Sequence, residues 1–85
     1  MEDQGTTQNV VIYSTPSCGY CKLAKEFMSE RNVSFEEYNV ASDEAKRNEM
    51  MEKTGQMGVP VIEVGEQIMI GFDRASLAKL LNVEA

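Results

Sequence analysis

The sequence predicts an α/β fold: a four-stranded mixed sheet packed with three helices in the order β-α-β-α-β-β-α, arranged as two layers. Three observations carry this. Short apolar runs at residues 10–14, 61–64 and 67–70, and a stretch at 33–40 with apolar residues set among polar ones, read as strands. Three other stretches have helical character, with apolar residues at steps of three and four or with cap and terminator residues at their ends. The first strand, helix and strand fit within about thirty residues, the length of a βαβ unit, which closes as a right-handed crossover with parallel strands. Eighty-five residues, 42% of them hydrophobic, supply one small core and no apolar run long enough to cross a bilayer. Fourteen acidic residues against eight basic give a net charge of −6 without a basic patch, so nucleic acid and anionic membrane are poor partners.

Residues 1–8 are polar and show neither period, so they are read as a disordered tail, leaving 9–85 as a single domain. The run Val10–Ser14 has the apolar, β-branched character of a strand covered on both faces. Pro16 keeps Thr15 out of the α region, so the chain must turn before a helix can start, and Cys18 falls at that turn. From 19 to about 31, Tyr20, Leu23, Ala24, Phe27 and Met28 form one stripe, read as core, with Asn32 as the C-cap. The second strand takes 33–40, with Val33, Phe35, Tyr38 and Val40 among polar neighbours. Ser42 is read as the cap of the second helix, followed by the acids Asp43 and Glu44, with Gly55 as its terminator. The apolar face of this helix is thin, only Ala45, Met50 and Met51, and is read as packing on the sheet. Pro60 stands at the head of the third strand, where its missing N–H is not needed. Gly65-Glu66 links that strand to the fourth as a type II′ hairpin. Asp73 caps a last helix with Leu77, Leu80 and Leu81 facing inward.

The chemistry lies in Cys18-Gly19-Tyr20-Cys21, which contains the only two cysteines of the chain. A sulfur at a helix start meets unpaired N–H groups and the positive end of the helix dipole, and both stabilise a thiolate. Cys18 is then a nucleophile, and Cys21, one turn further in, is placed to attack a mixed disulfide formed at Cys18. Lys22 and Lys25 can add positive potential if they curl back toward the sulfur. A structural disulfide closing so small a loop would restrain the unfolded chain little. A zinc site needs four ligands, and there is no histidine and no third cysteine, so a metal or cluster would have to be shared between chains or completed by outside thiols. The N-terminus shows no signal-peptide pattern, which points to the cytoplasm and a reducing compartment, where a CxxC beside a βαβ pattern reads as a redox motif.

Together these residues resemble a glutaredoxin, within the thioredoxin fold. The resemblance runs from Val10 to Leu81. It rests on Val11-Ile12-Tyr13-Ser14 before the CxxC, on Thr54-Gly55-Gln56 followed by Gly58-Val59-Pro60, and on Gly71-Phe72-Asp73. It is similar in particular to the small bacterial and archaeal glutaredoxin-like redoxins. The resemblance implies a thiol–disulfide oxidoreductase acting on protein and glutathione mixed disulfides, in which Cys18 attacks and Cys21, or glutathione, resolves. It implies a cis peptide at Val59-Pro60 facing the sulfurs, with the Val59 backbone pairing to substrate as a short added strand. It further implies glutathione contacts at Tyr20, Gln56, Val59, Pro60, Gly71, Phe72 and Asp73, glutathione as electron donor, no metal in the dithiol form, and a monomer. Three positions depart from the family pattern. Thr15 stands where many glutaredoxins have a lysine for the glutathione carboxylate, Met57 replaces a common arginine, and Phe72 replaces the second glycine of a Gly-Gly turn. The Gly-Phe turn is similar to redoxins that are recharged by thioredoxin reductase and supply ribonucleotide reductase, which is one alternative. The other follows from Gly19: some glutaredoxins with glycine after the first cysteine bridge a [2Fe–2S] cluster between two chains, with glutathione completing the ligands.

Overall fold

The computed structural model describes residues 9–84, so the tail expected at 1–8 lies outside the described residues. β1 (Val10–Ser14) is the pivot of the sheet, bonded along both edges. It runs parallel to β2 (Glu36–Asn39), with Tyr13 opposite Tyr38, and antiparallel to β3 (Val61–Val64), with Ile12 opposite Ile62. β4 (Gln67–Ile70) pairs antiparallel with β3 and completes the order β2-β1-β3-β4. Gly65 takes φ 62° while Glu66 stays at negative φ, the signs a type II′ hairpin turn requires.

The helices cover both faces of the sheet, making three layers where two were expected. Val10, Ile12, Ile62 and Val64 point to one face, where α1 (Gly19–Glu30) contributes Ala24, Phe27 and Met28 and α3 (Arg74–Leu81) contributes Leu77, Ala78 and Leu81. Tyr13 and Val61 point to the other face and bury Met50 of α2 (Glu44–Thr54) together with Val40. Successive residues of a strand point to opposite faces, so two central strands apolar at consecutive positions need cover on both sides.

Several local expectations are corrected. The buried stripe of α1 is Cys21, Ala24, Phe27 and Met28, whereas Tyr20 and Leu23 are 65% and 49% exposed. Cys21 takes the inward position at the first turn, which rotates Tyr20 and Leu23 out. β2 has four residues rather than eight, because the chain is still closing α1 at Val33: Asn32 adopts φ 59°, and the Val33 N–H reaches back to the Met28 carbonyl at 2.9 Å. Arg31 is accordingly the C-cap, with Asn32 one step beyond it. Asp43 caps α2 in place of Ser42, its Oδ1 accepting the Lys46 N–H at 3.1 Å. Met50 is the one buried residue of α2, and both Ala45 and Met51 are exposed. Leu80 is only half-buried, and Ala78 takes the inward place beside Leu77 and Leu81. Gly55 ends α2 in the left-handed conformation at φ 73°, its N–H on the Met51 carbonyl. Among the described residues no helix is long and apolar enough to cross a membrane.

Candidate active site

Four residues, Thr15-Pro16-Ser17-Cys18, separate β1 from α1, and the Cys18 N–H closes their turn on the Thr15 carbonyl at 3.2 Å. Cys18 is therefore the N-cap of α1, in extended conformation, and its Sγ accepts the Cys21 N–H at 3.1 Å. A sulfur in the place usually taken by a serine or aspartate oxygen receives one of the helix's unpaired donors and faces its positive end. Cys18 is half-buried, whereas Cys21 is 1% exposed. The two are joined as a disulfide, with Cα atoms 5.2 Å apart. An outside partner thus meets Cys18 first.

The turn and the start of α1 form a cleft lined by Thr15, Ser17, Cys18, Lys22 and Lys25, with no acidic residue. Lys25 is committed elsewhere: its ammonium sits 2.6 Å from Glu37 Oε2, which also accepts the Ser14 hydroxyl at 2.8 Å. Lys25 first, and Ser14 second, hold the Glu37 carboxyl below the usual carboxylate range. Lys22 is exposed and makes no ion pair among the described residues, so it is the lysine whose charge is left to the cleft.

The other parts of the site converge at the same end of the sheet. Tyr13 lies opposite Val61, and continuing that antiparallel register sets Pro60 and Val59 beside Ser14 and Thr15. The Val59–Pro60 peptide is cis, and the Pro60 carbonyl accepts the Gly71 N–H at 2.8 Å, which brings in the turn after β4. Gly71 has φ 88°, a conformation glycine adopts without strain. Phe72 packs edge-on against Phe27 at 6.1 Å. Asp73 is at the N-cap position of α3, but its side chain makes no capping bond and instead accepts the Ser76 hydroxyl at 2.7 Å. Tyr20 projects from the first turn of α1 into solvent. Gln56 is half-buried, and both ends of its carboxamide are bonded to the backbone of Gly58.

Sequence reasoning missed a polar network behind the site. The buried Tyr13 hydroxyl donates to Glu49 Oε2 at 2.8 Å and accepts from Lys53 Nζ at 3.3 Å. Lys53 also pairs with Glu63 at 2.7 Å and with Glu49 at 3.2 Å. The Tyr13 hydroxyl, followed by Lys46 and Lys53, holds the Glu49 carboxyl down at about 2. Burial, then Glu49, pushes the Tyr13 phenol up, and Glu63 is the main cause of the upward shift of Lys53. One signal was available: a tyrosine within an otherwise apolar strand needs a partner for its hydroxyl.

A family model described as Glutaredoxin matches residues 10–69, the span that includes the cysteine pair and the cis-proline loop. The chain belongs to the glutaredoxin family. A glutaredoxin-like 8.6 kDa protein in the rubredoxin operon of Clostridium pasteurianum is 43% identical over 86% of this chain and 97% of its own length. Glutaredoxin 3 of Escherichia coli is 40% identical over 76% of this chain and 78% of its own. The glutaredoxin-like protein NrdH of Lactococcus lactis is 38% identical over 84% and 97%. Among solved structures, a mutant of the thioredoxin-like protein BC3987 superposes with a TM-score of 0.85 at 32% identity, covering 89% of this chain and 97% of that one. The fold is thus the thioredoxin-like arrangement of the glutaredoxin family, with Cys18 and Cys21 as its CxxC pair.

Proposed function

We propose that this member of the glutaredoxin family reduces protein disulfides and glutathione mixed disulfides, with Cys18 as nucleophile and Cys21 as resolving thiol. The observation that carries this is the asymmetry of the pair: Cys18 caps α1 within reach of solvent, and Cys21 is buried directly behind it. The Cys18 thiolate attacks one sulfur of the substrate; the substrate S–S bond breaks, one sulfur leaves as a thiolate and takes a proton from water, and the other stays bonded to Cys18. Cys21 then loses its proton and attacks Cys18 Sγ. The second substrate thiol leaves, the Cys18–Cys21 disulfide forms, and two electrons have moved from the pair to the substrate. Substrate pairing is supported by Val59, whose N–H and C=O both lack a hydrogen-bond partner among the described residues.

Two molecules of glutathione restore the dithiol in this reading, held at Tyr20, Val59, Pro60, Gly71, Phe72 and Asp73, in the reducing setting of the cytoplasm. The fit is incomplete at one point: Gln56 would have to release Gly58 to give its carboxamide to glutathione. A second reading is favoured by Phe72, whose ring occupies the turn that is Gly-Gly in many glutaredoxins, by the uncharged Thr15, and by the likeness to NrdH. Thioredoxin reductase is then the donor and ribonucleotide reductase the recipient. The test supplies reduced glutathione with glutathione reductase in one assay and thioredoxin reductase alone in another. Turnover is expected in the first, and turnover only in the second moves the function to the second reading. A bridging cluster would need ligands beyond this chain, since no group of three His, Cys, Asp or Glu residues is gathered among the described residues. A colourless monomer after anaerobic purification would count against it.

A further inference from the structure

The loop between α2 and β3 carries an interaction that neither the packing nor the sulfur chemistry explains. Gln56 folds back on Gly58: its Oε1 accepts the Gly58 N–H at 2.6 Å, and its Nε2 donates to the Gly58 carbonyl at 3.1 Å. One carboxamide thus holds both backbone polar groups of one residue. Its base is fixed to α2 through Thr54, whose Oγ1 accepts the Gln56 N–H at 3.3 Å and donates to the Met50 carbonyl at 2.8 Å. The clamp in this form leaves no room for a side chain on residue 58. A Cβ on it would stand 2.7 Å from Gln56 Oε1, whereas its φ lies outside the left-handed region.

Peptide planarity passes the restraint onward. The Gly58 carbonyl and the Val59 N–H belong to one rigid group, so fixing the carbonyl fixes the direction of the N–H. On the far side, the Gly71 N–H holds the Pro60 carbonyl at 2.8 Å. Val59 is pinned from both flanks while its own polar groups stay unpaired among the described residues.

We propose that Gln56 and Gly58 act as one positioning unit that aims the Val59 peptide group at an incoming substrate backbone, so that Gln56 favours disulfides carried on a peptide over those that are not. This rests on the oxidoreductase reading above. Removing the clamp loosens substrate pairing and leaves the sulfurs as they are, which predicts losses that depend on the substrate.

The test is single-turnover reduction by the pre-reduced protein, which needs no electron donor, of a short peptide cyclised through two cysteines and of bis(2-hydroxyethyl) disulfide, which has no peptide group. Gln56→Ala is expected to slow the peptide reaction about fivefold, the factor for roughly one hydrogen bond, and the hydroxyethyl reaction by less than about twofold. Gly58→Ala should give a similar loss on the peptide, because its Cβ displaces the carboxamide. In the double variant the loss should stay near fivefold rather than multiply, since without Gln56 there is nothing for the Cβ to displace. Gln56→Glu, which keeps the acceptor and loses the donor to the Gly58 carbonyl, should lose peptide activity as the alanine variant does. Equal losses on both disulfides, multiplying losses in the double variant, or full peptide activity in Gln56→Glu would each overturn the proposal while leaving the oxidoreductase reading intact. An unmutated protein inert toward both disulfides would remove that reading and the proposal with it.

Discussion

Cys18 and Cys21 are the same residue type one helical turn apart, and their different environments are what the proposed division of labour rests on. The N-cap position gives Cys18 a donor and a route to solvent, and the inward face of α1 gives Cys21 neither. Cys18→Ser is therefore expected to abolish disulfide exchange with every substrate. Cys21→Ser should retain turnover only with glutathione mixed disulfides, where a second glutathione can resolve the intermediate, and the two substrate types assayed side by side check this. Loss of both activities in Cys21→Ser would contradict the glutathione reading. The pair was legible in the sequence because the chain has only two cysteines and Pro16 forces a turn just ahead of them. The clamp of Gln56 on Gly58 was not, because a bond from a side chain to a backbone two residues on depends on rotamer and local φ/ψ, which composition and periodicity do not encode.

α2 is held to the sheet by few contacts, and each can be tested separately. Met50 is the only residue of the helix that is fully buried, so Met50→Ala should lower unfolding stability by about 2–4 kcal/mol in urea titration. Met51→Ala, at an exposed position, should change it by less than about 0.5 kcal/mol. A similar cost at both positions would mean that the helix packs through another face. The second attachment is ionic, joining Glu49 and Lys53 of α2 to Tyr13 of β1 and Glu63 of β3. The Glu49 carboxyl ordinarily titrates near 4.5 and is held at about 2 in the folded protein. The unfolded chain therefore takes up this proton first as pH falls, so the contribution to stability is complete above about 4.5 and drains away as pH falls toward 2. The thermal midpoint should accordingly fall less steeply over that interval in Glu49→Gln than in the unmutated protein; equal slopes would remove Glu49 from the account. The displaced Tyr20 and Leu23 show why helix faces were harder to assign than helix positions. A step of three or four fits two adjacent stripes, and the buried one is decided by Cys21, whose side chain packs inward as well as carrying a reactive sulfur.

Over the whole molecule, the parallel pairing of β1 with β2 and the antiparallel hairpin of β3 and β4 follow from the βαβ spacing and the two-residue link at Gly65-Glu66, whereas the pairing of β3 along the other edge of β1 does not follow from either. The expected count of two layers conflicts with the apolar run of β1, which already implies cover on both faces; what the run does not say is which helix lies on which face, and that is seen when Ile12 packs with α1 and α3 and Tyr13 with α2. What the architecture achieves is convergence. The end of β1, the start of β3 and the turn after β4 meet at one end of the sheet, so the Cys18 sulfur and a Val59 backbone unpaired among the described residues lie there together. Central to the proposed function is that an outside disulfide is attacked at Cys18 and only afterwards reaches Cys21. The most direct measurement is peptide mapping by mass spectrometry after brief exposure of reduced Cys21→Ser and reduced Cys18→Ser to bis(2-hydroxyethyl) disulfide. A rapid adduct on Cys18 in the first and none on Cys21 in the second is expected; an adduct forming as fast on Cys21 would contradict the assignment of the nucleophile.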